Sequence, residues 1–155
     1  NIVKKKFYKS IILFLIVSAC GYNPIFSKNN SKFKLISINL EGDKRINRII
    51  NGKLESFSNN INAEKNYRLK IKTNIKKNIV SKDTKGNTDT LSLDINVFLI
   101  LEDSNQNKSK KNFIKSISYN NIDNKFELSN YEKSIKDNMA EKISEEMLIY
   151  IQSIQ

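Results

Sequence analysis

The sequence predicts an α+β domain in which two helices pack on an antiparallel or mixed four-stranded sheet, in the order β-α-β-β-β-α. Apolar residues alternate with other residues in four segments, which is typical of strands that bury one face. Two further segments repeat apolar residues at helical spacing, one after the first strand and one at the end of the chain. Elements of this kind bury their apolar sides against each other around a single core.

The first predicted strand begins at Phe33 and ends before Glu41 and Gly42. Asp43 is a suitable N-cap for the helix that follows. Apolar residues of this helix share one face, at Ile46, Ile49, Ile50, Leu54, Phe57 and Ile61. Gly52 lies inside the helix, where glycine lowers helix stability by about 1 kcal/mol relative to alanine. The helix must therefore be stabilised by packing.

The three middle strands are expected to form an antiparallel meander. One face of the second strand is apolar, with Tyr67, Leu69, Ile71, Thr73 and Ile75. Its other face carries Arg68, Lys70, Lys72 and Lys76, and faces water or a partner. The turn-rich segment 81–89 leads to a third strand over 91–101, and the polar segment 103–110 leads to a fourth over 111–119.

A helix of about 25 residues is predicted to close the fold, because Ser129 and Glu132 have the spacing of a capping box. One face of this helix is apolar, with Tyr131, Ile135, Met139, Ile143, Met147, Tyr150 and Ile154. The opposite face is expected to be solvated, with Lys133, Asp137, Glu141 and Glu145.

The first 19 residues have the parts of a secretory signal peptide. Four lysines precede an apolar run over 11–17, and the small residues Ser18 and Ala19 follow it. The apolar stretch is shorter than the roughly 20 residues that a membrane-crossing helix needs. We therefore expect residues 1–19 to be removed as a signal.

Cys20 is the only cysteine, and it stands directly after this leader. Residues 17–20, Val-Ser-Ala-Cys, resemble the lipobox of bacterial lipoproteins. The resemblance implies cleavage before Cys20 and its acylation by chains such as palmitate, and two or three chains anchor a protein stably. Residues 20–32 would then be a lipidated tether. Retention in the inner membrane would favour aspartate after the cysteine, so Gly21 at that position implies the periplasmic face of the outer membrane.

The composition limits what residues 33–155, predicted to be a single domain, can do. With no histidine and one cysteine already assigned, the usual metal sites and nucleophile pairs cannot be assembled. Glu145 and Glu146 are adjacent on the last helix and point in different directions, unlike a cooperating acid and base. We expect no enzyme activity, no cofactor and no metal.

The net charge favours anionic partners. The formal charge of +11 falls to +7 when the four leader lysines are removed, since 23 basic and 16 acidic residues remain. Such a charge is a footprint of anion binding, but abundant lysine, asparagine and isoleucine are also the bias of an AT-rich genome. An exported, tethered chain rarely meets nucleic acid, so we expect no nucleic-acid partner.

The element order and three sequence features resemble the lipopolysaccharide-assembly lipoprotein family LptE, especially its alphaproteobacterial members. Residues 20–26, Cys-Gly-Tyr-Asn-Pro-Ile-Phe, are similar to the start of that family. Residues 67–69, Tyr-Arg-Leu, match a strand opening, and residues 118–120, Ser-Tyr-Asn, precede a capped helix containing Tyr131. The resemblance implies a plug for the outer-membrane barrel LptD, which supports barrel assembly and assists lipopolysaccharide transport to the outer leaflet.

Lipid A phosphates are compact anions that lysine and arginine bind well. The densest candidate patch for lipopolysaccharide comprises Arg68, Lys70, Lys72, Lys76, Lys77, Lys82 and Lys85. Lysines that guard an edge strand against aggregation are an equally good explanation of any one of them. Two other functions also fit the sequence: a different outer-membrane lipoprotein, serving barrel assembly or envelope structure, and a free-standing cationic binder of membrane lipids.

Overall fold

The computed structural model describes residues 31–154, so the predicted signal peptide, Cys20 and most of the predicted tether lie outside it. Each of the six elements is bounded by a polar turn or a capping residue. Their order along the chain is β1 (Phe33–Gly42), α1 (Lys44–Glu55), β2 (Lys65–Lys82), β3 (Thr88–Asp103), β4 (Lys108–Asn120) and α2 (Lys125–Ser153).

The four strands form one mixed sheet in the order β1-β2-β3-β4. β1 pairs parallel with β2, and β2, β3 and β4 pair antiparallel as a meander. α1 connects the two parallel strands, as a parallel pair requires. The predicted fold class and element order are confirmed.

Both helices supply side chains to the core, which lies against one face of the sheet. β2 and β3 contribute alternate residues, among them Leu69, Ile71, Leu93, Ile95 and Leu99. α1 contributes Ile46, Ile50 and Leu54, and α2 contributes Ile135, Met139, Ile143 and Met147. The period of two in the strands therefore buries one face and leaves the other face to solvent.

An ion pair joins the two helices. The Arg45 guanidinium donates through Nε and Nη2 to the two carboxylate oxygens of Asp137, at 2.6 and 2.5 Å. The hydrogen bonds from Arg45 hold the pKa of Asp137 below its ordinary value. The prediction that Asp137 lies on a solvated face is therefore wrong, because α1 packs beside that part of α2.

The chain turns from β1 into α1 at a tight junction against β2. Gly42 has a φ of 101°, and a Cβ placed on it would lie 1.9 Å from the Thr73 carbonyl oxygen. The Thr73 hydroxyl accepts from the backbone N–H of Asp43 at 2.9 Å and lies 2.9 Å from Oδ1 of the buried Asn47. Asp43 caps α1, accepting from the backbone N–H groups of residues 45 and 46.

A second buried amide fixes the point where the chain enters the domain. Nδ2 of Asn60 donates to the Ser31 carbonyl at 2.7 Å and to the Phe33 carbonyl at 2.9 Å. Asn60 belongs to the segment 56–64, which links α1 to β2. The starts of β1 and β2 and the turn between β3 and β4 lie at the same end of the sheet. We call it the exit end, because the chain before Ser31 leaves the described domain there.

The two hairpin turns have the same hydrogen bonds. Asp83 and Asp103 each accept from the backbone N–H groups two and four residues later, and their other oxygen accepts from the side chain of Asn87 or Asn107. These bonds hold the pKa of both aspartates below the ordinary value. The third residue after each aspartate has a positive φ, and it is Gly86 in one turn and Gln106 in the other.

Several predicted boundaries differ from the structure. α2 begins at Lys125 with Asn124 as N-cap, four residues before the predicted capping box, because Asn124 accepts from the backbone N–H groups of Phe126 and Glu127. α1 ends at Glu55, so Ile61 is not on its apolar face and is instead 93% exposed. β2 and β3 are longer than predicted because their pairing continues through polar residues that the alternation of apolar residues could not reveal.

We predict that Gly42→Ala lowers the free energy of unfolding by about 1 to 3 kcal/mol, because the new Cβ would collide with the Thr73 carbonyl at a left-handed φ. Gly52→Ala is the matched control. Gly52 is in an exposed part of α1 with open space around it, so this change should stabilise the fold by about 0.5 to 1 kcal/mol. Urea unfolding followed by circular dichroism measures both, and equal effects would contradict the prediction.

Candidate functional site

The candidate site is the face of the sheet opposite the helices, which we call the open face. The register of the strands aligns its side chains in rows that cross the sheet. Starting at the exit end, the first row contains Ser37, Arg68, Glu102 and Lys108. The second contains Asn39, Lys70, Ile100 and Lys110, and the third contains Glu41, Lys72, Phe98 and Asn112.

Apolar side chains run through the centre of the open face near the exit end. Phe98 is 38% exposed, Ile114 of the next row is 62% exposed, and Ile100 is half-buried. Lys70 and Lys72 of β2 lie on one side of Phe98 and Ile100, and Lys108 and Lys110 of β4 lie on the other. We call the three rows at the exit end, together with Ile114, the basic half of the open face.

Two shallow depressions lie on the basic half. The larger, of about 850 Å³, is lined by Arg68, Lys70, Ile100, Lys108 and Lys110, among others. The smaller, of about 210 Å³, adjoins it between Lys70, Lys72 and Phe98. Each depression therefore combines an apolar wall with ammonium groups.

The cations of the basic half differ in how they are neutralised. Arg68 and Lys108 share the carboxylate of Glu102, each at 3.5 Å. Within residues 31–154 no ion pair is present for Lys70, Lys72 or Lys110. The lysines beside the apolar stripe are thus the ones left to meet an external anion.

The other half of the open face is polar and nearly neutral, and we call it the polar half. Asn74, Asn96, Asn78, Ser92, Ser116 and Ser118 occupy it, with Lys76 opposite Asp94. Asp94 accepts from Nδ2 of Asn78 at 2.7 Å and also from the Ser116 hydroxyl. Apart from the opposed charges of Lys76 and Asp94, this half presents amide and hydroxyl groups.

The structure divides the seven predicted lipopolysaccharide-binding residues among four places. Arg68, Lys70 and Lys72 lie together on the basic half, and Lys76 lies on the polar half. Lys77 is on the helix side, and Lys82 and Lys85 lie at or beside the β2–β3 turn, at the far end of the sheet. Cys20, the predicted lipidation site, lies outside the described residues.

The position of β2 removes one explanation of its lysines. β2 is an inner strand, paired on both sides, and the edges of the sheet are β1 and β4. Lysines that prevent edge-to-edge aggregation are useful on edge strands. Edge protection therefore does not explain Arg68, Lys70 or Lys72, contrary to the alternative that the sequence left open.

Lys77 has a structural partner instead. Its ammonium pairs with Glu132 on α2, and the hydroxyl of the buried Tyr119 donates to the same carboxylate at 2.8 Å. Burial would raise the pKa of Glu132, but the hydrogen bonds from Lys77 and Tyr119 outweigh it and hold that pKa below its ordinary value. Burial and the bond to Glu132 raise the pKa of Tyr119. This cluster fastens the start of α2 to the sheet.

Five residues of the basic half were not among the predicted binding residues: Lys108, Lys110, Phe98, Ile100 and Ile114. A signal for two of them is present in the sequence. In the third strand Phe98 and Ile100 occupy positions that should be polar if that face met only water. The sequence carries no comparable signal for Lys108 and Lys110, because the polar run 103–110 is typical of a turn.

Two further features were sought in the described part of the chain: a metal site and a membrane-spanning helix. Residues 31–154 contain no cluster of acidic, histidine or cysteine side chains that could hold a metal ion. Neither of the described helices has the length and apolar content needed to cross a bilayer.

Several solved bacterial proteins have a similar fold. Rare lipoprotein B from Shewanella oneidensis matches with a TM-score of 0.61 at 15% identity, over 76% of this chain and 95% of that chain. Lipoprotein B from Nitrosomonas europaea, described as uncharacterized, matches with a TM-score of 0.63 at 12% identity, over 86% and 92% of the two chains. A minor lipoprotein from Acinetobacter baumannii has a TM-score of 0.51 at 17% identity, with 74% and 88% covered.

At these identities the comparisons establish a shared fold. The similarity covers most of each of those chains, so the whole described domain, and no smaller part of it, is what they have in common. No protein-family model matches the sequence, and no curated protein matches it.

We predict that the stability of the domain falls as the pH decreases below about 4.5, the ordinary pKa of glutamate. Because the folded-state pKa of Glu132 is lowered, its contribution is complete above that value and is lost as the pH falls through the folded pKa. Lys77→Met should make this pH dependence shallower, since it removes the main cation that lowers the pKa of Glu132. Urea unfolding between about pH 3 and 7 tests this, and identical slopes for the two proteins would contradict it.

Proposed function

We propose that this protein is an outer-membrane lipoprotein that supports the LptD barrel and assists lipopolysaccharide on its way to the outer leaflet. One observation carries the proposal: Phe98 and Ile100 lie between the lysines of β2 and those of β4, and Ile114 extends this apolar stripe in the next row. Lipopolysaccharide combines acyl chains with phosphates, so a surface that offers apolar area and cations side by side suits it.

Each part of the basic half has a role in this proposal. The acyl carbons would cover Phe98 and Ile114, which are now exposed to water. Lys70, Lys72 and Lys110 would donate charge-assisted hydrogen bonds to phosphate oxygens. Their freedom from ion pairs within the described domain means that no internal bridge has to break first.

The polar half would face the barrel. Lumens of outer-membrane barrels are polar, and the amides and hydroxyls of the polar half can both donate and accept hydrogen bonds. Asn74 and Asn96 are directly opposite each other and both are exposed. A nearly neutral surface of this type can fit a lumen of either charge without a large desolvation cost.

Anchoring through Cys20 would hold the domain at the periplasmic face of the outer membrane. The leader and the residues around Cys20 support this, and proteins named as bacterial lipoproteins share the fold. The proposed role is docking and binding, with no reaction catalysed by the protein. Mass spectrometry of the amino-terminal peptide from the membrane fraction would detect the acyl chains.

We predict that the double variant Lys70→Glu and Lys72→Glu weakens lipopolysaccharide binding at least about tenfold, since hydrogen bonds to charged groups contribute about 1.5 to 3 kcal/mol each. The matched control is Lys125→Glu with Lys142→Glu, which makes the same change of net charge at exposed positions of α2. Binding to purified lipopolysaccharide at two salt concentrations measures both. Equal weakening would show that only net charge matters and would remove the case for the basic half.

We also predict that the tagged protein co-purifies with one large β-barrel in a fixed ratio, and that its depletion lowers both surface lipopolysaccharide and the amount of assembled barrel. Recovery of the barrel-assembly machinery, or of peptidoglycan, in place of such a barrel would instead favour the other lipoprotein functions. Binding to anionic liposomes with no barrel partner would identify a free-standing lipid binder.

A further inference from the structure

The segment 56–64 presents an apolar side chain at the exit end. Ile61 is 93% exposed, more than any other large apolar residue in the described part of the chain. The next residue, Asn62, is also exposed and uncharged. A single exposed isoleucine is common on protein surfaces, so its meaning depends on where it is held.

The loop that carries Ile61 is fixed to the domain. Phe57 is buried and stacks on Phe33 with the ring centres 5.1 Å apart, and its carbonyl accepts from the backbone N–H of Leu35 at 3.2 Å. Asn60, next to Ile61, is buried and donates to the carbonyls of Ser31 and Phe33. On the other side of Ile61, the backbone N–H of Glu64 donates to the Lys32 carbonyl at 2.7 Å, so ordered neighbours on both sides hold Ile61 at the surface.

Asn60 also links Ile61 to the path of the chain outside the structure. Residues before Ser31 lead back to Cys20 over eleven peptide steps. At about 3.3 to 3.6 Å per residue, these steps span at most about 40 Å in any conformation. The β2–β3 turn, by contrast, is about 56 Å from the start of β2, since the strand rises about 3.3 Å per residue. An anchor at Cys20 thus keeps the exit end nearest to the lipid.

We propose that the loop 56–64 rests on the phospholipid bilayer, with Ile61 entering the interface between headgroups and acyl chains. The inference depends on the anchor at Cys20 of the proposed function, and it adds a second, non-covalent contact that orients the domain. Lys53 and Lys65 near the loop are exposed and Glu55 partly offsets them, while Glu64 of the loop pairs with Lys32 at 3.1 Å. The contact is accordingly apolar, and it should depend little on salt.

The chain has no tryptophan, so a single introduced indole reports its own surroundings. In Ile61→Trp the indole should shift its emission to the blue in phosphatidylcholine vesicles and be quenched by brominated acyl chains. The matched control is Ile79→Trp, at an exposed isoleucine of β2 near the far end of the sheet, which should show neither effect. Both positions are at the surface, and circular dichroism confirms that each variant is folded.

The protein is purified from membranes and reconstituted with its amino-terminal modification, which mass spectrometry identifies. If Cys20 is not acylated, its thiol, the only one in the chain, is coupled to a maleimide lipid so that insertion is still measured. Absence of a shift for Ile61→Trp on anchored protein would overturn the inference and leave the proposed function standing. A blue shift already present without vesicles would mean that another part of the chain covers Ile61, and would overturn it as well.

Discussion

Burial on one face of the sheet is the constraint on which the remaining structure depends. Both helices pack against the same side, so alternate residues enter the core over residues 67–73 of β2 and 91–101 of β3, and the residues between them face away from it. A second layer on the other side would have required those positions to be apolar. They are instead cations, amides and hydroxyls around a short apolar stripe, and this is why the described domain has a broad surface available for contact.

The open face is not uniform along its length. The cations and the stripe of Phe98, Ile100 and Ile114 are gathered at the exit end, and neutral polar groups occupy the rest. The loop with Ile61 lies at that same end. Features suited to lipid are therefore close to the point where an acylated chain would enter the domain, and features suited to a polar protein surface are farther away. Parallel pairing of β1 with β2 produces this arrangement, since it starts both strands at the exit end.

Sequence periodicity was sufficient to predict the four strands, the two helices and their order, because a period of two or 3.6 is a direct consequence of one-sided burial. It could not predict contacts between elements. The sequence predicts a solvated Asp137, but in the structure Arg45 of α1 binds it. The sequence also places Lys77 in the cationic patch, but Glu132 of α2 pairs with it on the other side of the sheet. The predicted start of α2 at Ser129 is wrong because Asn124 and Ser129 are both suitable N-cap residues. Which of them caps the helix depends on where the chain turns after β4, and the sequence pattern does not show this.

The hydrogen bonds of Asn60 have a mechanical consequence. Tension on the amino-terminal segment would enter the domain at Ser31, where the amide holds the backbone, and would then run along the axis of β1. Because β1 lies lengthwise beside β2, a pull along the strand axis acts in shear and strains the hydrogen bonds of the ladder together. A strand pulled sideways would open one bond at a time. If the amino-terminal segment is anchored, a pull of this kind on the anchor would therefore be resisted by the whole ladder at once.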